Sequence, residues 1–179
     1  IPNFTIMAPK DFNELEEMLE FSVEAKRPIL LRYPRGGEEK SWKTCEKIVL
    51  GKAETLRSGK DVTILAIGKM VSRAIEVAEE LEKDGIECTV INSRFLKPFD
   101  KETIKKSISK TKKVITLEDN TIVGGLGSEI KEIISSDKSM QDIEIEIYGI
   151  EDKFMGYATW EDIFNKAKEK TVKIKKPEV

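Results

Sequence analysis

The spacing of apolar positions changes along this chain, and each change marks an element. Residues 11–26, DFNELEEMLEFSVEAK, repeat apolar positions at helical spacing. Leu15, Met18, Leu19 and Ser22 share one predicted face, and Asp11 with Glu14 form a capping pair. Residues 29–33 are an apolar run of strand type, and residues 36–47, GGEEKSWKTCEK, have no period and read as a linker. Beyond residue 47 strand and helix patterns alternate. IVLGKAETL predicts a strand, SGKD a turn, and VTILAIG a strand buried on both faces. Val71, Ala74, Ile75, Ala78 and Leu81 give a helical stripe closed by Gly85. IECTVINSRF predicts one strand, and KPFD a turn whose Asp100 caps a helix to about residue 110. KVITLE predicts a strand, DNTIVGGLG a loop, residues 127–136 a helix, and IEIEIYGI a strand. Thr159 is placed to cap a last helix through about Lys168.

This alternation predicts an α/β fold, with a mostly parallel sheet covered on both faces. The hairpin-like pair at 47–67 adds one expected antiparallel edge strand. The domain proper is expected to run from about residue 44 to the end. Residues 1–40 hold too few elements to bury a core of their own, so they read as the tail of a preceding domain.

Composition narrows the function. The 179 residues are 39% hydrophobic and 36% charged, with 31 Lys+Arg against 33 Asp+Glu and a formal net charge of −2. A balance so even gives no global pull toward nucleic acid or an anionic membrane. The basic tail KEKTVKIKKPEV reads as a frayed end. Histidine is absent, which excludes Ser-His-Asp and Cys-His catalysis and histidine metal sites. Cys45 and Cys88 have no CxxC spacing and suit a reduced, cytoplasmic protein. No apolar run approaches membrane-spanning length. The chain starts at Ile1 without an initiator methionine, as expected of a processed chain or one cut from something longer.

The most suggestive short motif is RYPRGG. It sets Arg32 and Arg35 at a strand end, stiffened by Pro34 and followed by Gly36 and Gly37. Guanidinium groups at such a place suit phosphate or carboxylate oxygens. The alternative is an interdomain salt bridge. In NSRFLKPFD, Arg94 is expected to pair with Asp100 rather than touch a ligand. Gly124, Gly125 and Gly127 precede a helix whose N-terminus could hold an anion, or they form a tight turn. Glu118 and Asp119 read as helix-entry or interface charges, and Trp42, Trp160, Tyr148 and Phe154 as core and interface aromatics. The residues themselves supply one anion-site candidate and no complete catalytic set.

Several separate stretches share an order with a known family. IPNFTIMAPKDFNELEEML, PILLRYPRG, GKAETLRSGKDVTILAIGKMV, NSRFLKPFD, ITLEDNTIVGGLGSEI and YGIEDKF together resemble the 1-deoxy-D-xylulose-5-phosphate synthases, in the thiamine-diphosphate transketolase-like superfamily. The resemblance covers nearly the whole chain. It implies a three-layer α/β/α transketolase C-terminal domain at 44–179, preceded at 1–43 by the end of the pyrimidine-binding α/β domain. It also implies a homodimeric parent that condenses pyruvate with D-glyceraldehyde 3-phosphate, losing CO2, for isoprenoid, thiamine and pyridoxal biosynthesis. Thiamine diphosphate and Mg2+ would serve that parent, with none expected on this part of it. Arg35 matches the family's phosphate-gripping residue, and Arg32 is a second candidate. GIEDKFMGYAT departs from the family by lacking a histidine-glycine pair, which affects the expected loop geometry there. A competing reading is a non-catalytic docking or dimerisation subunit of a split transketolase-like or 2-oxo acid dehydrogenase enzyme.

Overall fold

The computed structural model describes residues 1–34 and 47–152, which form two sheets joined side by side. The smaller sheet uses β1 (Thr5–Met7), β2 (Ile29–Leu31) and β6 (Phe95–Lys97), in the order β2-β1-β6. The larger contains β3 (Glu54–Arg57), β4 (Val62–Ala66), β5 (Cys88–Asn92), β7 (Lys113–Thr121) and β8 (Glu144–Ile150). Its order is β3-β5-β4-β7-β8. Four of these five strands are parallel, and β3 runs antiparallel at one edge. The first helix, α1 (Phe12–Glu24), lies between β1 and β2 in sequence, and α2 (Met70–Lys83) lies between β4 and β5. Helix α3 (Lys101–Thr111) follows β6, and α4 (Leu126–Ser136) follows β7.

The large sheet has apolar layers on both faces, as the continuous run of β4 predicts. Ile64, Ala66, Val90 and Leu117 pack beneath Val71, Ala74, Ala78 and Leu81 of α2. Leu65, Ile67 and Ile91 pack on the opposite side against Ile104 and Ile108 of α3 and Leu126 and Ile130 of α4. This is the three-layer α/β/α arrangement expected from the sequence. Gly85, at φ 76°, ends α2 as anticipated. Its amide bonds the Glu82 carbonyl, and that of Ile86 bonds Leu81, closing the last turn of the helix.

The expected hairpin does not form. Only Glu54–Arg57 is strand, and its partner is β5, so β4 lies one place further into the sheet. The turn between β3 and β4 explains the rearrangement. Gly59 donates to Thr89 Oγ1, and the amides of Lys60 and Asp61 bond the Glu87 carbonyl, which seats β5 between the two strands. Residues 48–50 leave the strand because Gly51 turns at φ 68°, and Ile48 is buried in the small-sheet core instead.

The run IECTVINSRF also divides. Arg94 adopts a left-handed conformation at φ 52°, so β5 stops at Asn92 and β6 crosses to the small sheet. There it pairs antiparallel with β1. Met7, Met18, Ile48 and Phe95 form the core of this junction, with Phe21 edge-on to Phe95 at 6.2 Å. The inward stripe of α1 is therefore Glu14 and Met18, both buried, with the half-buried Phe21. Leu19, expected on that face, is 51% exposed, and Leu15 is half-buried. Strand β7 continues three residues past its predicted end, through the start of the expected loop, and pairs Thr121 with Ile150. The readings of Trp42, Cys45, Phe154, Trp160, the linker and the Thr159 helix lie outside the described residues.

Candidate functional site

In an α/β sheet, ligands bind beyond the carboxyl ends of the strands, where successive connections leave in opposite directions. Here that point lies between β4 and β7, because β5 and β7 flank β4 on opposite sides. The chain itself occupies it. Gly68, at φ 61° just past β4, lies under Ala8 and Pro9 of the N-terminal segment and beside Asp119 Oδ1. Asp119 receives a bond from Arg32 Nη2. The Asp119 side chain is 5% exposed and that of Arg32 32%. Burial lowers the Arg32 pKa from its ordinary value, while the Glu118 charge acts in the opposite direction.

A second place where an anion could bind is filled in the same way. The amides of Leu126 and Gly127, at the N-terminus of α4, donate to Glu118 Oε2 and Oε1 at 2.9 and 3.0 Å. A Cβ on Gly125 would land on this carboxylate, so the glycine makes room for it. Burial pushes the Glu118 carboxyl above its usual range, against the pull of the two amides and Arg32. The reading of Glu118 and Asp119 as helix-entry or interface charges holds: Glu118 takes the helix entry, and Asp119 meets Arg32 of the N-terminal segment. The turn reading of the glycines holds too, and the helix terminus is closed to an outside anion.

Behind this edge lies a buried ionic cluster. Glu14 Oε1 accepts from Arg94 Nε at 2.7 Å, and Arg94 Nη2 reaches Glu54 at 3.1 Å. Lys10 Nζ bridges the same two carboxylates at 3.2 and 3.1 Å, and Asn92 Nδ2 donates to both. All five side chains belong to residues less than 10% exposed. Two cations and two anions cancel, the condition under which charges tolerate burial. The cluster joins the small sheet's segment to β3 and β5. It also corrects the pairing expected for Arg94. Asp100 instead caps α3 through the Thr103 amide and bonds the Ala53 amide.

The expected site residues therefore separate. Arg32 is engaged within the protein, and Arg35 lies outside the described residues. Lys10 and Glu54 were not singled out by sequence reasoning, and Glu14 was read only as the capping partner of Asp11. Glu14 had a signal, since a carboxylate in line with Met18 and Phe21 occupies the buried face of its helix. The remaining thiol among the described residues, Cys88, is buried in the sheet core, and burial raises its pKa to about 11. No helix among the described residues is long and apolar enough to cross a membrane.

A sheet of this order, covered by helices on both faces, defines an α/β/α domain. The family model for the transketolase C-terminal domain matches residues 51–160, and the chain belongs to that family. It is 42% identical over 157 residues to the 1-deoxy-D-xylulose-5-phosphate synthase of Desulforudis audaxviator, covering 87% of this chain and 25% of the relative. The corresponding enzyme of Pelotomaculum thermopropionicum is 45% identical over 157 residues, covering 87% and 24%. The chain thus spans about a quarter of the length of these relatives. Among solved structures, one described as a split gene transketolase, inactive beta4 tetramer, superposes with a TM-score of 0.84 at 31% identity. That match covers 93% of this chain and 54% of the other.

Proposed function

We propose that this chain is the C-terminal part of a 1-deoxy-D-xylulose-5-phosphate synthase, inert alone, whose parent joins pyruvate to D-glyceraldehyde 3-phosphate with loss of CO2. The observation that carries this reading is 42–45% identity to such enzymes over 157 residues. In this reading the parent is a cytoplasmic homodimer. Its product supplies isoprenoid, thiamine and pyridoxal biosynthesis.

The reading includes a division at about residue 43, with residues 1–43 completing a pyrimidine-binding domain. Apolar surface on the N-terminal segment supports it. Phe12, Leu19 and Val23 form an outward stripe on α1, at 53%, 51% and 84% exposure, and Leu30 on β2 is 43% exposed. Among the described residues, β2 also lies at the open edge of its sheet. An edge strand beside apolar surface suits further strands and helices of a larger domain.

The family implies thiamine diphosphate and Mg2+, and the donor set here does not fit them. Among the described residues no cluster of acidic, histidine or cysteine side chains could hold a metal ion. The α4 terminus, a natural diphosphate cradle, carries Glu118. In this reading the cofactor's residues belong elsewhere in the parent. What this segment contributes is Arg35, whose guanidinium would grip the phosphate of the aldehyde acceptor through a charge-assisted forked contact worth about 1.5–3 kcal/mol. Arg35→Ala in the full-length enzyme is expected to raise the acceptor's KM more than that of pyruvate. Equal effects on both substrates would remove the role. Calorimetry of the 179-residue chain with thiamine diphosphate and Mg2+ is expected to show no saturable binding, and tight binding would refute the division of labour.

A second reading, a docking subunit of a split enzyme, draws on the likeness to the split gene transketolase structure. An open reading frame extending several hundred residues upstream of Ile1 would favour the first reading. One that starts at Ile1's own initiator would favour the second.

A further inference from the structure

We infer that the groove between α3 and the outer strands of the large sheet binds a small sugar phosphate, with Lys106 and Lys110 holding the phosphate. The groove involves neither Arg35 nor the closed terminus of α4, so it stands apart from the proposed function.

The groove exists because α3 is seated over β4. Thr63 Oγ1 of β4 meets the hydroxyls of Ser107 and Thr111 at 2.7 and 2.8 Å, and Ile104 and Ile108 pack on Leu65. Beside the helix, toward the edge strand β3, a cavity of about 430 Å³ opens. Its floor is Thr55 of β3 with Thr89 and Ile91 of β5, and its wall is the flank of α3 that carries Lys106 and Lys110. A sheet face that buries against another helix is apolar, whereas threonine holds two of these three floor positions. The lining suits a polar ligand. Its volume of about 430 Å³ is more than a bare phosphate fills and lies in the range of small-molecule sites.

Charge favours an anion at one end. The lysines of α3 divide by flank: Lys101 and Lys105 pair with Glu129 and Asp137 on the α4 side, at 3.2 and 3.1 Å. Lys106 and Lys110 line the groove, and among the described residues no carboxylate pairs with either. Lys110 Nζ donates to the Gly59 carbonyl at 2.9 Å, which fixes the amine and leaves its other protons to a ligand. Like charges one helical turn apart repel. A phosphate dianion between them replaces that repulsion with charge-assisted bonds. Ser58, next to Gly59, and Thr55 add hydroxyls without a partner among the described residues. Toward the start of α3, Lys52 and Glu102 pair at 3.4 Å and offer both donors and an acceptor to the hydroxyls of a sugar.

The test is acetylation footprinting, read lysine by lysine in a mass spectrometer, on the full-length protein that contains this chain. The residue-level readout separates this groove from phosphate bound anywhere else. The probes are ribose 5-phosphate, inorganic phosphate and ribose. Saturating ribose 5-phosphate is expected to slow modification of Lys106 and Lys110 about tenfold, and that of the exposed Lys138 less than about twofold. Inorganic phosphate is expected to protect the same two amines only at higher concentration, and ribose to protect neither. Lys106→Gln, an exposed change that spares the fold, is expected to raise the ester concentration needed to protect Lys110 about tenfold. No protection by the ester up to about 10 mM overturns the site. Equal slowing at Lys138 is charge screening and overturns it too. Inorganic phosphate as effective as the ester overturns the sugar phosphate as ligand. Unchanged protection of Lys110 in Lys106→Gln overturns the shared grip of the two lysines.

Discussion

Arg94 Nε donates to Glu14 Oε1 at 2.7 Å across 80 residues of chain, and neither residue is more than 2% exposed. This bond joins a strand end of the large domain to the buried face of the first helix. Around it, Lys10 and Glu54 complete a neutral tetrad, and Asn92 donates into both carboxylates. Apolar contacts alone would allow the small sheet to slide on the large one. A set of directional bonds among buried charges permits one arrangement, because every displaced arrangement strands a charge without water.

Removing one member of that tetrad leaves its partners charged and unpaired. Glu14→Gln or Arg94→Met is therefore expected to destabilise the chain by about 3–5 kcal/mol in urea unfolding. The double variant should cost less than the sum of the two single changes. Simple additivity would show that the two groups are not coupled.

On α1, burial ranks neighbouring residues differently from their hydrophobicity. Met18 is fully buried, whereas Leu19 is 51% exposed. Met18→Ala is expected to cost about 2–5 kcal/mol. Leu19→Ala should stay within about 0.5 kcal/mol in the isolated chain. Thermal midpoints of the two variants check the ranking directly.

Asp100 gives a pH-dependent case. Burial works to raise its carboxyl, but bonds from the Ala53 amide and from the Thr103 amide and hydroxyl, with the charge of Lys52, outweigh it. The folded pKa is thus below the unfolded one of about 3.9. Stability from this lowering is present above the unfolded value and is lost as pH falls through the folded value. Asp100→Ala is expected to cost about 1–2 kcal/mol near neutrality. The gap from wild type should narrow on acidification below about pH 4. A gap that stays constant to pH 2 would contradict the assignment.

Gly125 tests the closed terminus of α4. Its φ of −90° suits any residue, so the constraint is the space taken by the Glu118 carboxylate. Gly125→Ala is expected to destabilise by about 1–3 kcal/mol by pushing that carboxylate off the amides. Combining it with Glu118→Ala, which empties the space, should recover part of the loss. Independent effects in denaturant titrations would refute the clash.

Where local pattern and packing agreed, the elements were readable in advance. The α2 stripe with its Gly85 cap, the buried run of β4 and the Asp100 cap of α3 all follow from side-chain period and capping chemistry. Each depends on residues within a turn or two of one another. Glu118 and Asp119 were read together as helix-entry or interface charges, and only the structure divides them, with Glu118 on the α4 amides and Asp119 on Arg32. What local reasoning missed was long-range. It paired Arg94 with the nearby Asp100, whereas Glu14 and Glu54 lie 80 and 40 positions away in the chain.

The sequence by itself determined the alternation of strand and helix, the doubly covered sheet, and the motifs that mark the family. Those features are carried by period, caps and short runs, which act locally. Only the tertiary structure decided that β5 lies between β3 and β4, and that residues 93–94 hand the chain from one sheet to the other. It also decided that the carboxyl edge is closed by Ala8, Pro9 and Arg32. Such choices depend on which distant groups satisfy one another once water is excluded, and spacing along one chain does not encode that choice in any short window.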